Sequence, residues 1–266
     1  MKKIIFLLSL ISFQSLATTI LSINTEFMWD SEEPHEGRAA FGAVGNPPSA
    51  KYVELEAYAV AEVIKRHQAD IVGLVEIEGQ NVAEKILKYL PDEYQLVFKK
   101  GRDHATGQDV AIITRYKVNS TLNNFAEIEG QYQNVKKTPS KALGVSLKNG
   151  TKEYYVVVAH LLSKRGNNDK KRAAQANAIA TLIQSQTGHK IVIGDLNDVH
   201  SSNTLKELYK VGLNIIDKDE YSYIYNDEKQ LIDHILVSDS LLNGATFSSF
   251  DLGPISDHRG VMATVD

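Results

Sequence analysis

The sequence predicts an α/β sandwich in which two packed sheets carry helices on their outer faces. Three observations predict it. Apolar, β-branched runs of strand length alternate with stretches whose apolar residues recur at helical spacing. Asn149-Gly150 lies between the runs Ala142 to Leu147 and Glu153 to Ala159, a type I′ hairpin signal, so some neighbouring strands are antiparallel. No internal repeat and no Pro- or Ser-rich linker divides the chain. A single doubly wound parallel sheet is the alternative, and the hairpin argues against it.

The amino terminus stands apart from that pattern. Met1-Lys2-Lys3 is a basic start, Ile4 to Phe13 an apolar stretch, and Ser15-Leu16-Ala17 a small-x-small cleavage site. These features predict a signal peptide over residues 1–17, a mature domain over 18–266, and a secreted or periplasmic location. The apolar stretch is too short for a stable membrane anchor, since a spanning helix needs roughly 20 residues. Cysteine is absent, which excludes disulfides and a lipidated N-terminal cysteine. A mature chain of this size buries roughly three quarters of its unfolded surface and stands without cross-links. Removing Lys2 and Lys3 makes the net charge of -4 still more negative. That argues against an indiscriminate polycation-type nucleic-acid binder. It leaves room for a polyanionic substrate held by a local basic rim and metal ions.

Thr19 to Asn24 reads as a short apolar strand, and Glu26 to Pro48, with three glycines and paired prolines, as a long loop. Val53, Ala57, Val60, Ala61 and Ile64 give an amphipathic helix ending near His67. Asp70 to Ile77 is a buried strand with Glu76 close to its end. Val82, Ile86, Leu87 and Leu90 mark a helix stopped by Pro91. Tyr94 to Phe98 and Asp109 to Thr114 are strands around the polar loop Lys99 to Gln108. After the hairpin, Ala173 to Gln184 is helical, Lys190 to Gly194 is a buried strand, and Leu205 to Tyr209 is a short helix. Tyr221 to Tyr225, Leu231 to Val237 and Gly260 to Val265 close the chain as strands.

Polar side chains recur where these apolar runs end. Asn24 follows TILSI, Glu76 lies in LVEI, His160 follows VVVA, and Asp195 and Asn197 follow IVIG. Asp233 interrupts LIDHILV, and Ser256-Asp257-His258 precedes GVMATV. Singly, each has an ordinary reading: Asn24 as a turn cap, His160 as a core histidine, Gly-Asp-x-Asn as a solvated turn. Together they do not, because strand ends are where α/β sheets place ligands. Carboxylates and amides suit a hard cation such as Mg²⁺ better than zinc. Two histidines can serve as general base and general acid, and Asp233 can orient one of them. Gly-x-Ser-x-Gly and H-E-x-x-H are missing, so the covalent-hydrolase and zinc-protease mechanisms lack their parts. Metal-assisted hydrolysis of a phosphate ester fits best. Asp198 is read as a turn residue.

The ordered set Asn24, Glu76, His160, Gly194-Asp195-Leu196-Asn197, Asp233 and Ser256-Asp257-His258 resembles the endonuclease/exonuclease/phosphatase superfamily, to which deoxyribonuclease I belongs. The segments ADIVGLVEIEG, GQDVAIITRY and AHLLSKRG look most like its bacterial secreted and membrane-associated nucleases. The resemblance spans about Ile20 to Val265. It implies a four-layer α/β sandwich and phosphodiester hydrolysis dependent on Mg²⁺ or Mn²⁺, with Ca²⁺ a further candidate. By match, Glu76 is the principal metal ligand, with Asn24 and Asp257 beside it. Asp195 and Asn197 position the phosphate, the attacking water or a second ion. His258, paired with Asp233, and His160 supply the acid/base pair, in either division of roles. Asp109 matches a position near the phosphate.

Basic residues cluster after His160: Lys164, Arg165, Lys170, Lys171 and Arg172. Lys164 and above all Arg172 are the expected phosphate contacts, since a guanidinium binds phosphate bidentately. The expected function is that of an exported nuclease, a monomer acting on DNA, whose substrate affinity falls with salt. The alternatives are a sphingomyelinase-like or small-molecule phosphodiesterase or phosphatase, a genotoxin subunit with a partner chain, and a catalytically silent binding module. A lipid enzyme would want an exposed aromatic hairpin, and the sequence offers only Trp29 and no evident aromatic-tipped loop.

Overall fold

The computed structural model describes residues 17–31, 48–104 and 106–266. The expected signal peptide and most of the expected loop Glu26 to Pro48 lie outside the described residues. Along the chain come β1 (Thr18–Met28), α1 (Ala50–Arg66), β2 (Ile71–Ile77), α2 (Gly79–Leu87), β3 (Gln95–Phe98) and β4 (Asp109–Thr114). They are followed by β5 (Lys117–Asn124), β6 (Gly130–Tyr132), β7 (Val135–Lys137), β8 (Ala142–Asn149), β9 (Lys152–Ala159) and α3 (Asp169–Gln184). Next are β10 (His189–Asp195), α4 (Asn203–Tyr209), β11 (Leu213–Ile215), β12 (Tyr223–Tyr225) and β13 (Glu228–Gln230). The chain ends with β14 (Asp233–Ser238), α5 (Asp239–Leu242), β15 (Thr246–Asp251) and β16 (Arg259–Val265).

Two six-stranded mixed sheets form, in the orders β15-β16-β1-β2-β4-β3 and β11-β14-β10-β9-β8-β5. Each has one parallel pair at its centre, β1 with β2 and β9 with β10, flanked by antiparallel neighbours. Strand periodicity then assigns the layers. Ile20, Ile71, Val75 and Ile112 of the first sheet meet Val156, Val158, Ile191 and Ile193 of the second. The alternate residues Leu21, Ile23, Val72 and Leu74 pack under α1 and α2. Tyr155, Val157 and Val192 pack under α3 and α4. The result is helix, sheet, sheet, helix. Because the central strands are covered on both faces, they read as continuous apolar runs rather than as alternating patterns. The sheets approach closely at Gly73, where an added Cβ would stand 2.6 Å from the Ile193 side chain.

The predicted α/β sandwich is the observed one, and α1 buries the five residues whose spacing predicted it. Three details differ. The β8–β9 loop is Gly150-Thr151, since Asn149 pairs with Lys152. Only Gly150 has positive φ there, the pattern of a II′ turn rather than the expected I′. β1 continues past Asn24 to Met28 through a register shift, with Glu26 and Phe27 at positive φ. The short strands β6, β7, β11 and β13, and the edge strands β5 and β15, were not legible, because they carry too little apolar periodicity to read. No helix among the described residues is long and apolar enough to cross a membrane.

Candidate active site

Sheet direction gathers the polar strand ends. β1 and β2 run parallel, as do β9 and β10, so all four release their C-terminal residues at one edge of the sandwich. β14 and β16 run antiparallel to them and begin at that edge, with Asp195 opposite Asp233. Asn24, Glu76, His160, Asp195, Asp233 and His258 therefore meet there, although up to 171 positions separate hydrogen-bonded partners.

Glu76 occupies a bulge between Val75 and Ile77 and has φ 64°. A left-handed conformation is costly for a glutamate and is held here by its surroundings. Thr25 Oγ1 donates to the carbonyls of Val75 and Glu76, and Phe27 N–H donates to Glu76 Oε2 at 3.1 Å. Asn24 Nδ2 bridges the sheets, 3.4 Å from Glu76 Oε1 and 3.3 Å from Asp195 Oδ2. Burial raises the Glu76 carboxyl pKa, opposed by the charges of Lys141 and His258. Asp195 is also raised, by burial and then by Asp233. A divalent cation between these carboxylates would offset both costs. Candidate ligand atoms of Glu76, His160 and Asp195 lie within 4.8 Å of one another, as do those of Asp195, Asp233 and His258.

The two histidines are tuned in opposite directions. His160 Nε2 stands 3.6 Å from Glu76 Oε1 and 3.8 Å from Asp195 Oδ2. Burial, then Lys141 and His258, hold its pKa well below 6.5. His258 Nδ1 donates to Asp233 Oδ2 at 2.7 Å. Burial alone would lower the His258 pKa, but Asp233, followed by Asp195 and Asp257, raises it to about 10. A neutral and a protonated imidazole on one site are what acid/base chemistry requires.

The Gly-Asp-x-Asn turn has a steric explanation. Gly194 has φ 128°, and a Cβ there would stand 2.0 Å from the Ala159 carbonyl oxygen. Asn197, at φ 53°, donates its backbone N–H to Asp195 Oδ1 at 2.8 Å and its amide to Leu161 O at 3.0 Å. Asp257 is half-exposed at the rim, its N–H bound to Glu26 Oε2 and its Oδ1 3.9 Å from His258 Nε2. Its carboxylate belongs to neither group of candidate ligand atoms.

Two expected phosphate contacts need correction. Arg172 is 1 % exposed, with Nε on Asp198 at 3.0 Å, Nη2 on Asp169 at 2.7 Å and Nη1 on Leu162 O at 3.1 Å. Its donors are committed inside the protein. Asp198 is accordingly more than a turn residue: it is the buried counter-ion, and it also accepts from Thr204 Oγ1 at 2.7 Å. Asp109 is buried too, bound to Lys100 Nζ at 2.6 Å and to Gly101 N–H at 2.8 Å, where it tethers the Lys99 to Gln108 loop. Lys164 is exposed and donates to Gln230 Oε1 at 2.9 Å.

Three features escaped sequence reasoning. Lys141 is buried against Asp103 at 2.9 Å, and nothing in the sequence distinguishes it from the loop lysines. The Tyr223 ring stacks on His258 with centroids 4.5 Å apart. The β12–β13 hairpin also exposes Ile224 and Tyr225, so the chain does have an aromatic-bearing hairpin beside the site.

His234 is buried behind the site, its Nε2 donating to the Asp198 carbonyl at 2.7 Å, and burial lowers its pKa below 6.5. Its contribution to stability is complete above the unfolded value and is lost as pH falls toward the lowered folded one. Each unit of lowering is worth about 1.4 kcal/mol. Thermal melting between pH 7 and pH 5 should therefore drop less in His234→Gln than in the wild type. Equal drops would refute the assignment.

Solved structures share the fold at low identity. An endonuclease/exonuclease/phosphatase from Bacteroides vulgatus is 18% identical over 94% of this chain and 98% of its own, with a TM-score of 0.68. A humanized D. rerio TDP2 is 16% identical over 94% and 99%, with a TM-score of 0.65. A Staphylococcus aureus beta toxin variant with bound magnesium ions is 15% identical over 94% and 100%, with a TM-score of 0.63. No curated protein sequence matches the chain. The model of the Endonuclease/Exonuclease/phosphatase family matches residues 48–258, taking in Glu76, His160, Asp195, Asp233 and His258. With that match and two six-stranded sheets meeting at this cluster, the chain belongs to the endonuclease/exonuclease/phosphatase family.

Proposed function

We propose that this chain is an exported, divalent-metal-dependent endonuclease, a monomer that hydrolyses DNA. The observation that carries the chemistry is the meeting of Glu76 from one sheet and Asp195 from the other with two oppositely tuned histidines. The buried, raised carboxylates of Glu76 and Asp195 offer oxygen ligands suited to Mg²⁺ or Mn²⁺, while Asn24, expected as a ligand, turns its Nδ2 to both carboxylates and its Oδ1 to Glu26 N–H. A bound ion of this kind supplies neutralising charge at phosphoryl oxygens and a lowered pKa of attacking water.

The protein's own groups do the rest. Asp233 holds the His258 ring through Nδ1, which leaves Nε2 to exchange a proton with the reacting oxygens. Neutral His160, between Glu76 and Asp195, is the complementary proton acceptor or hydrogen-bond donor. Asn197 locks the Asp195 turn against Leu161, so the carboxylate keeps its aim. Exposed Lys164, Arg165, Lys170 and Lys171 line the segment after His160 and supply a rim for backbone phosphates. The basic start and apolar stretch of residues 1–17 support export.

The test is to incubate the mature protein with supercoiled plasmid, RNA and sphingomyelin vesicles, in Mg²⁺ or in chelator. Plasmid nicking that requires the ion and weakens with rising salt is the expected result. Lipid cleavage with intact plasmid would overturn the reading.

A further inference from the structure

The β12–β13 hairpin stands at the rim of the site and is fixed to its chemistry. Its base is anchored through Ser222, whose Oγ accepts from the N–H groups of Ile232 and Asp233, and whose carbonyl accepts from Arg259 N–H at 2.7 Å. The hairpin is thus tied directly to Asp233 and to the neighbour of His258. Its two-residue turn, Asn226-Asp227, has positive φ at both positions, the tight I′ geometry that holds a short hairpin in one shape.

Side chains alternate across a strand, so Tyr223 and Tyr225 share one face and Ile224 takes the other. Tyr223 covers the His258 ring. Tyr225 lies two residues further out, roughly 7 Å along the strand, and is 57% exposed. Lys164 reaches the same hairpin through Gln230, the cross-strand partner of Tyr223. An aromatic row thus leads outward from the proton-transfer group, with a lysine at its inner end. That spacing suits a planar ring attached through a sugar to the phosphate being cut.

We propose that Tyr225 is a specificity-determining residue: it is a stacking platform for an unpaired nucleobase next to the scissile phosphate, which makes single-stranded nucleic acid the preferred substrate. The inference rests on the nuclease reading and deepens it. A base inside a duplex has its faces covered by neighbours, whereas an unpaired base offers a π-face to an exposed tyrosine. A lipid surface is the poorer fit. Ile224 and Tyr225 point to opposite faces, so they form no single apolar wedge.

The test compares wild type, Tyr225→Ala, Tyr225→Trp and Ile224→Ala on three probes. These are an oligothymidylate, an abasic oligomer of tetrahydrofuran phosphodiesters of the same length, and sphingomyelin–phosphatidylcholine vesicles. Binding is read by fluorescence anisotropy in chelator, where no cleavage occurs, and kinetics in Mg²⁺. Tyr225→Ala should weaken oligothymidylate binding and raise its KM about ten-fold, with the abasic oligomer unaffected. Tyr225→Trp should restore binding, and Ile224→Ala should leave it unchanged. Equal losses on both oligomers, or none on either, would overturn the stacking role while the wild type still cuts DNA. Loss of vesicle binding in both Tyr225→Ala and Ile224→Ala, with oligothymidylate binding intact, would identify a membrane contact instead. A wild type that neither binds nor cuts any oligonucleotide overturns the nuclease reading, and this inference falls with it.

Discussion

Replacing His258 with alanine is expected to lower kcat by about 10³-fold, the scale of losing a positioned proton-transfer group. The expectation rests on the 2.7 Å bond from His258 Nδ1 to Asp233 and on a pKa raised to about 10. KM should change little, because the imidazole acts on the transition state rather than on the rest of the substrate. Asp233→Asn should produce a loss of similar order, since an amide can no longer favour the same tautomer and charge. It should also lower the His258 pKa, because burial alone pushes that group down. An NMR titration of the His258 ring separates this from general damage. Combining the two changes should cost little more than either alone, because the pair acts as a unit. A His258→Ala enzyme with near wild-type kcat would remove His258 from the mechanism.

Arg172→Ala is expected to destabilise the protein by about 3–5 kcal/mol, the range for removing one partner of a buried ion pair. Asp198 would keep Thr204 Oγ1 but lose its counter-ion in a dry environment. The Leu162 carbonyl would lose its donor as well. Arg172→Lys should recover part of the loss, because an ammonium restores charge but not the planar fork that reaches three acceptors. Replacing Arg172 and Asp198 together with leucine should cost less than Arg172→Ala, since no buried charge is left behind. Urea unfolding measures all three, and a loss below about 1 kcal/mol in Arg172→Ala would show the pair to be solvent-screened.

Arg172 also marks a limit of sequence reading. A basic run after a candidate catalytic histidine looks like a phosphate-binding rim, and for Lys164, Arg165, Lys170 and Lys171, all exposed, the sequence and the structure are compatible with that. The run enters α3, however, and helical periodicity turns Arg172 inward while its neighbours remain outside. Composition cannot show that turn; only the face on which α3 packs can. Asp198 and Asp109 were misjudged for the same reason, since a carboxylate's role depends on the cation folded against it. The aromatic hairpin escaped because β13 is three polar residues with no periodicity of its own, which left the predicted strand Tyr221 to Tyr225 without a visible partner.

By itself the sequence determined the layered α/β architecture and the identities of the strand-end groups Asn24, Glu76, His160, Asp195, Asp233 and His258. It could do so because central strands covered on both faces must be continuously apolar, which makes every polar interruption conspicuous. The tertiary structure decided which of these groups touch. It placed Glu76 and Asp195 on facing sheets around one amide, drove His160 and His258 to opposite protonation preferences, and left Asp257 at the rim. Those outcomes depend on burial and on charges within a few ångströms, and both are set by contacts between residues far apart in the chain.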